Sequence, residues 1–252
     1  MSAPELVACE IHGRVLHIRM QRDAKRNAVD RAHADALDAA FNRLDDDPGL
    51  WAGVLSGGAF FCAGSDLGSR GDYVTERGGE YGLIRRRRHK PLIAAVEGAA
   101  LGGGLEIALA CDLVVAASDA RLGLPEVARG LVPTCGALFR ALERMPANVA
   151  RELVLTGQPL DAMRAHQLGL VNAVVPAGEA LARALAMAHD IVANSPTAVQ
   201  ACLAAMNGLL ARGEADGWAA TGQALAAIRG SEDAQEGIRA FFERRAPVWR
   251  GR

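Results

Sequence analysis

The chain has 252 residues, of which 50% are hydrophobic and 23% charged, and its formal net charge is −1. This length allows one large domain or two small ones, and the near-neutral charge excludes a global electrostatic attraction to nucleic acid or to an acidic membrane surface. The five cysteines are scattered without CxxC spacing, which argues against a zinc site or a disulfide framework and favours a reducing compartment.

Strand and helix patterns alternate along the first part of the chain. Residues 5–11 and 14–20 are short β-branched runs on either side of a His-Gly pair, which predicts a β-hairpin. Asp30 can cap a helix that extends to about Leu44, because apolar residues recur there on one helical face. Buried strands are predicted at residues 51–55, 91–96 and 112–117.

The repeated order of strand, glycine turn and helix predicts an α/β fold with a largely parallel sheet. The strand at residues 91–96 is expected to run through Gly98 directly into a helix that opens with glycines. Residues 68–90 are polar, glycine-bearing and rich in arginine without a clear period, so we expect a mobile loop with some helix there.

Helical patterns dominate after about Gly136. The composition shifts at residues 194–196, which predicts a boundary between an α/β core at residues 1–194 and a helical carboxy-terminal region at residues 195–252. Stretches 180–188 and 219–227 are rich in small apolar residues, so we expect these helices to pack against neighbouring subunits. The predicted helices span residues 180–194, 197–211, 217–228 and 231 to about 245.

No targeting, membrane-spanning or metal-ligand pattern is recognised in the sequence. Residues 1–15 lack a basic segment followed by an apolar run, and the most apolar stretch, residues 91–117, is interrupted by acidic residues and glycines. The six histidines form no ligand cluster in the sequence. We therefore expect a cytoplasmic location, no membrane partner and no metal.

Two glycine-containing turns follow predicted strands. Residues 60–67 read Phe-Phe-Cys-Ala-Gly-Ser-Asp-Leu, and this stretch alone is most simply a turn in which Ser65 or Asp66 caps a helix. A GxSxG nucleophile motif would need glycine in place of Ala63 and Leu67.

The second turn, residues 102–104, removes three successive side chains where a helix begins, so backbone N–H groups can approach a ligand closely.

Two glutamates accompany these turns. Glu106 lies about one helical turn after Gly103, and Glu126 follows Pro125 at a helix start or loop exit. Taken singly, Glu106 can be a solvated or capping residue and Glu126 a helix-dipole partner. Taken together, one carboxylate can accept a proton while the other delivers one, and the amides can hold a developing oxyanion.

Three runs, from Phe61 to Leu67, from Gly98 to Asp112 and from Pro125 to Pro133, together resemble the enoyl-CoA hydratase/isomerase (crotonase) superfamily. The resemblance implies a ββα spiral core with a helical carboxy-terminal region and a homotrimer or dimer of trimers. It also implies an acyl-CoA substrate and no separate cofactor, since coenzyme A is part of the substrate. The likeness continues at residues 22–27, 155–157, 169–172 and 241–248.

Residue roles follow from this resemblance. The N–H groups of Ser65 and Gly103 correspond to the family's oxyanion hole, and Glu106 and Glu126 match the two glutamates that activate water and protonate the α-carbon. The usual glycines are absent at residues 134–135, where Thr-Cys stands, which leaves the acyl group open. Substrate and CoA contacts are expected from Ala24, Lys25, Arg26, Ala63, Asp66 and Leu67.

The resulting hypothesis is an enoyl-CoA hydratase, because family isomerases often lack one of the two glutamates. An isomerase remains the alternative, as does a non-catalytic acyl-CoA-binding protein. The basic run at residues 85–90 could also suggest RNA binding. A solvated helix face near the mouth of the acyl pocket explains that run better, since it contains no interleaved aromatic residues.

Overall fold

A computed structural model describes residues 5–69 and 73–252 of the chain. Its strands are β1 (Val7–His12), β2 (Val15–Met20), β3 (Ala52–Ser56), β4 (Val74–Thr75), β5 (Gly79–Glu80), β6 (Leu92–Val96), β7 (Ala99–Leu101), β8 (Leu113–Ala117), β9 (Arg121–Gly123), β10 (Leu160–Asp161) and β11 (Ala173–Val175). Its α-helices are α1 (Arg31–Asp46), α2 (Gly103–Ala110), α3 (Ala137–Arg144), α4 (Ala147–Thr156), α5 (Ala162–Gln167), α6 (Ala180–Val192), α7 (Pro196–Ile228) and α8 (Glu232–Glu243).

The central sheet has six strands in the order β1-β2-β3-β6-β8-β11. The β1-β2 hairpin is antiparallel, as the sequence predicted, and every other neighbouring pair is parallel. All residues of β3 and β6 are buried, because helices cover both faces of the sheet. The prediction of a mixed α/β fold with a largely parallel sheet is confirmed.

A second sheet, in the order β10-β9-β7, makes the core a spiral. β6 is followed by β7 of this second sheet and then by α2, while β8 is followed by β9 and then by the short 3-10 helix Pro125–Arg129. The expectation that β6 runs directly into a helix was wrong, because residues 99–101 pair in parallel with β9 first. Their sequence, Ala-Ala-Leu, carries no β-branched residue that would have revealed a strand.

Helix α1 covers one face of the central sheet, and Asp30 caps it by accepting a hydrogen bond from the His33 N–H, as predicted. Helix α6 covers the other face. Its Ala180, Ala184 and Ala188 are fully buried against Val54 and other residues of the sheet in a second core. These alanines therefore pack on the chain's own sheet, and a contact of this helix with a neighbouring subunit stays a prediction.

The carboxy-terminal region is built on one long helix. The prediction of two helices at 197–211 and 217–228 was wrong, since α7 continues through all 33 residues from Pro196 to Ile228. Gly217 does not break the helix. A Cβ on it would lie 2.5 Å from the Phe139 ring, and Trp218 packs edge to face against the same ring. A close contact with α3 thus requires glycine at this position.

Helix α8 begins after the cap Ser231, as predicted, and returns to the core. A Cβ on Gly237 would lie 2.1 Å from the Arg129 carbonyl oxygen, so α8 packs directly on the 3-10 helix that carries Glu126. The division of the chain at residue 194 stays a prediction. Within residues 5–69 and 73–252, none of the helices is both long and apolar enough to cross a membrane.

Residues 68–90 contain two short strands and turns where a loop with some helix was expected; residues 70–72 lie outside the described part. The basic run at its end is not a solvated helix face, and that interpretation was wrong. Its side chains alternate: Arg85, Arg87 and His89 are exposed, whereas Arg86, Arg88 and Lys90 are buried.

Each buried cation of this run has protein partners. Arg86 donates to Asp38 at 2.6 Å and to Asp45 at 2.8 Å. Arg88 donates to both carboxylate oxygens of Asp112, and Lys90 donates to the carbonyls of Leu44 and Asp47. These charges therefore tie the segment to α1 and to the start of β8.

We predict that Arg86→Met lowers the free energy of unfolding by about 3 kcal/mol, because it leaves two carboxylates without their buried cation. Arg87→Met, which changes the exposed neighbour, is the matched control and should shift stability by less than about 0.5 kcal/mol. Urea denaturation at one fixed protein concentration measures both. Equal losses in the two variants would contradict the buried ion-pair assignment.

Candidate active site

Glu106 lies in the first turn of α2 with its carboxylate inside the protein; the residue is 2% exposed. The N–H groups of Cys135 and Ala137 donate to its Oε1 at 2.8 and 3.0 Å. Burial raises its pKa to about 7, and the two donated hydrogen bonds oppose that rise. A carboxyl group with this pKa exchanges protons readily at neutral pH.

Glu126 stands at the start of the 3-10 helix Pro125–Arg129. A Cβ on Gly102 would lie 3.2 Å from its Oε1, which places the carboxyl group at the opening of α2. Its Oε2 is buried and has no hydrogen-bond partner within the described residues. Burial, and then the charge of Glu106, raise its pKa to about 8. The structure thus places the two glutamates predicted from the sequence close enough for the charge of one to raise the pKa of the other.

Two backbone amides meet beside these carboxylates. Gly64 has a positive φ of 90°, and a Cβ on it would lie 2.7 Å from the Gly103 nitrogen, so only glycine lets the two chains touch. Ser65 is held by a parallel bridge to Val29. Neither Ser65 N–H nor Gly103 N–H donates to a protein acceptor in residues 5–69 and 73–252. Both donors are therefore free for a ligand.

Two tyrosines that sequence reasoning missed lie against this site. The Tyr81 hydroxyl is 2.7 Å from Ser65 Oγ, and a Cβ on Gly103 would lie 2.2 Å from the same hydroxyl. The Tyr73 ring stacks on Tyr81 at 4.8 Å. Burial raises the pKa of both phenols, and Cys135 raises it further. A signal was present: these are the only two tyrosines of the sequence, and both fall in residues 68–90.

The predicted CoA-contacting segment adjoins the site. Ala24, Lys25 and Arg26 are exposed on a short 3-10 turn, where the Arg26 carbonyl accepts from the Ala63 N–H at 3.0 Å. Leu67 is half-buried at the far end of the same loop. The structure therefore brings Ala24–Arg26 together with the loop that carries Ser65.

Asp66 has a protein partner in this structure. Its Oδ2 accepts from Arg22 at 2.8 Å, and its Oδ1 accepts from the Gly68 N–H at 3.0 Å. Arg22 also pairs with Asp30, the cap of α1, at 2.7 Å. The Asp66 side chain thus fastens the loop to α1, and a contact between Asp66 and CoA stays a prediction.

Known proteins are similar to this chain along almost its whole length. The sequence model of the family described as enoyl-CoA hydratase/isomerase matches residues 10–252. Enoyl-CoA hydratase EchA19 of Mycobacterium tuberculosis is 38% identical, covering 100% of this chain and 98% of that protein. Mevalonyl-coenzyme A hydratase of Aspergillus fumigatus is 37% identical, and the match covers 94% of this chain and 91% of that protein.

Solved structures agree with these sequence matches. A carnitinyl-CoA dehydratase from Mycobacterium avium superposes with a TM-score of 0.93 at 44% identity, covering 99% of this chain and 100% of the other. The fold, the paired glutamates and the family match lead to one identification. The chain belongs to the enoyl-CoA hydratase/isomerase (crotonase) family.

Proposed function

We propose that the protein adds water reversibly to the double bond of a 2-enoyl-CoA thioester. The observation that carries this proposal is the pair of carboxyl groups at the opening of one helix, the buried Glu106 and the half-buried Glu126. Hydration needs one group to take a proton from water as its oxygen attacks the β-carbon. It needs a second to give a proton to the α-carbon, and two adjacent carboxyls can do both.

The backbone amides supply the third element of the mechanism. As water attacks, negative charge collects on the thioester oxygen, and the N–H groups of Ser65 and Gly103 stabilise it. In comparable sites one such donor lowers the barrier by about 3 kcal/mol. These donors are fixed by backbone packing, so they need no reorganisation during the reaction. The reaction requires no separate cofactor, because coenzyme A is part of the substrate.

CoA would extend from this site along the turn at Ala24, Lys25 and Arg26. All three residues are exposed, and this turn is bonded to the loop that begins at Ala63. Backbone atoms and the two cationic side chains can contact the ligand there. Leu67 would line the same path, while Asp66 would contribute by fixing the loop through Arg22.

We infer a short acyl group that bears a polar substituent. The hydroxyl groups of Ser65 and Tyr81 share a hydrogen bond at the amide pair, and the Tyr73 ring stacks on Tyr81. Two similar proteins are named for carnitinyl-CoA and mevalonyl-CoA, both of which carry polar acyl groups. A turnover screen of enoyl-CoA thioesters with graded chain length and with polar or apolar ends tests this inference.

Replacing either glutamate should stop hydration while preserving shape. Glu106→Gln and Glu126→Gln should each lower kcat by about 10²- to 10⁴-fold with little change in KM, and the double variant should be scarcely worse. The measurement is turnover of a 2-enoyl-CoA in ¹⁸O-labelled water, with label expected on the β-carbon. Glu152→Gln changes an exposed residue of α4. It is the matched control and should retain full activity.

The same measurement decides between hydratase and isomerase. An isomerase moves a proton within the substrate and needs only one base. A shift from 2-enoyl to 3-enoyl product without label, surviving one of the two substitutions, would establish the isomerase. Binding of acyl-CoA without turnover of any thioester would establish a non-catalytic binder.

The pH profile follows from the raised pKa values. A base must lose its proton and an acid must keep its own, and these carboxyls have pKa values of about 7 and about 8. We predict a bell-shaped profile of kcat/KM with its maximum between about pH 7 and 8. The two apparent pKa values of this profile belong to the pair of carboxyl groups and not to one residue each. Stopped assays from pH 5 to 10 measure it, and a flat profile would contradict the assignment.

We also propose a homotrimer or a dimer of trimers, with the region from residue 195 onward forming contacts between subunits. Helix α7 exposes Met206 and Leu209 by 63% and 61%, and Phe242 of α8 is likewise exposed. Apolar surface of this kind commonly marks a protein interface.

We predict that Met206→Glu combined with Leu209→Glu shifts the protein to smaller species in light scattering. Charge placed in an apolar contact is costly to desolvate. Leu155→Glu on α4 introduces the same charge at an exposed leucine outside this region and serves as the control. An unchanged mass in the double variant would place the subunit contact elsewhere.

A further inference from the structure

One face of the β1-β2 hairpin carries three side chains of metal-binding types, one glutamate and two histidines. Glu10 pairs directly with His17 across the two strands, and His12 pairs with Val15. Side chains two residues apart on a strand share a face, so Glu10, His12 and His17 all project from one side of the hairpin. None of these residues takes part in the site around Glu106.

The three side chains converge. One ligand atom from each of Glu10, His12 and His17 lies within 4.8 Å of the other two. Glu10 Oε2 is 3.5 Å from His12 Nε2. That nitrogen is buried and forms no hydrogen bond with any group in the described residues. A buried ring nitrogen without a hydrogen bond is costly, and a bound cation would satisfy it.

The His17 ring is held at one nitrogen and can bind a ligand through the other. The residue is buried, and its Nε2 lies 2.7 Å from Ser56 Oγ, which fixes the ring and leaves Nδ1 free. A ligating histidine is typically held by such a partner at its other nitrogen.

The cluster borders an open cavity of about 910 Å³ on the face of the sheet that α6 covers. Leu181 and Leu185 of α6 form part of its wall. Leu105 and Ile107, the neighbours of Glu106 on α2, belong to the core on the other face, which also contains Leu16 and Ile18. The cavity is therefore separate from the carboxylate pair, and it leaves room for an ion and a further ligand.

We propose that Glu10, His12 and His17 bind a divalent transition-metal ion, with Zn²⁺ the ion best suited to two imidazoles and one carboxylate. Such a three-ligand set leaves a fourth tetrahedral position for water or an anion from the cavity. The strand pairing of the sheet fixes the backbone of the two histidines. The Glu10 side chain is 70% exposed and can rotate to bind the ion. The proposal does not depend on the hydratase assignment.

Calorimetric titration of the chelator-treated, full-length Cys202→Ser protein with Zn²⁺ tests the proposal. The serine removes an exposed thiol that could bind zinc by itself. We expect one equivalent to bind, and His12→Gln or Glu10→Gln to weaken binding at least about tenfold. His189→Gln, an exposed histidine on α6, is the matched control and should leave the affinity unchanged.

Titration with Co²⁺ gives an independent readout, since tetrahedral coordination produces strong visible absorption that His12→Gln should abolish. Turnover of enoyl-CoA should be the same in His12→Gln and wild type. Absence of saturable binding, or equal binding in His12→Gln and His189→Gln, would overturn the proposed site.

Discussion

Parallel backbone pairing in the second sheet is the constraint on which the candidate active site depends. Cys62 bridges to Ala100, and Ala100 pairs in turn with Leu122, so three successive turns of the spiral are in register. Residues three or four positions further along must then meet at one edge. Those residues are Ser65, Gly103 and Glu126. Donors and an acid from three distant parts of the sequence are thus brought together by backbone pairing, without contacts between their side chains.

The glycine run at the start of α2 completes that edge by close packing. Gly102 leaves space for the Glu126 carboxyl, Gly103 for the Tyr81 hydroxyl, and Gly104 for the Cys62 carbonyl, which a Cβ would approach to 2.0 Å. Each missing side chain therefore admits a different neighbour. Any larger residue would displace a part of the site. The glycine run is therefore needed for close contact with three neighbours more than for backbone flexibility.

Sequence reasoning located this edge because its residues have specific local requirements. Glycines at a strand–helix junction and a carboxylate one turn later are visible without a structure. The β7 strand and the continuous α7 helix were missed, since Ala-Ala-Leu has little strand propensity and Gly217 owes its identity to Phe139 from a different helix. Likewise, a near-neutral net charge did not reveal that alternate cations at residues 85–90 are buried against carboxylates or backbone carbonyls. Long-range partners decide all of these features.

The two carboxyl groups are not equivalent, and the difference bears on their roles. Glu106 receives two backbone N–H bonds that favour its charged form, whereas the buried Glu126 Oε2 receives none. Ionising both would place two negative charges in one poorly solvated space, so the pair keeps one proton near neutral pH. That proton belongs preferentially on Glu126, whose pKa is the higher of the two and whose Oε2 receives no hydrogen bond. In the hydration proposed above, Glu106 is accordingly the better base toward water, and Glu126 the better donor to the α-carbon.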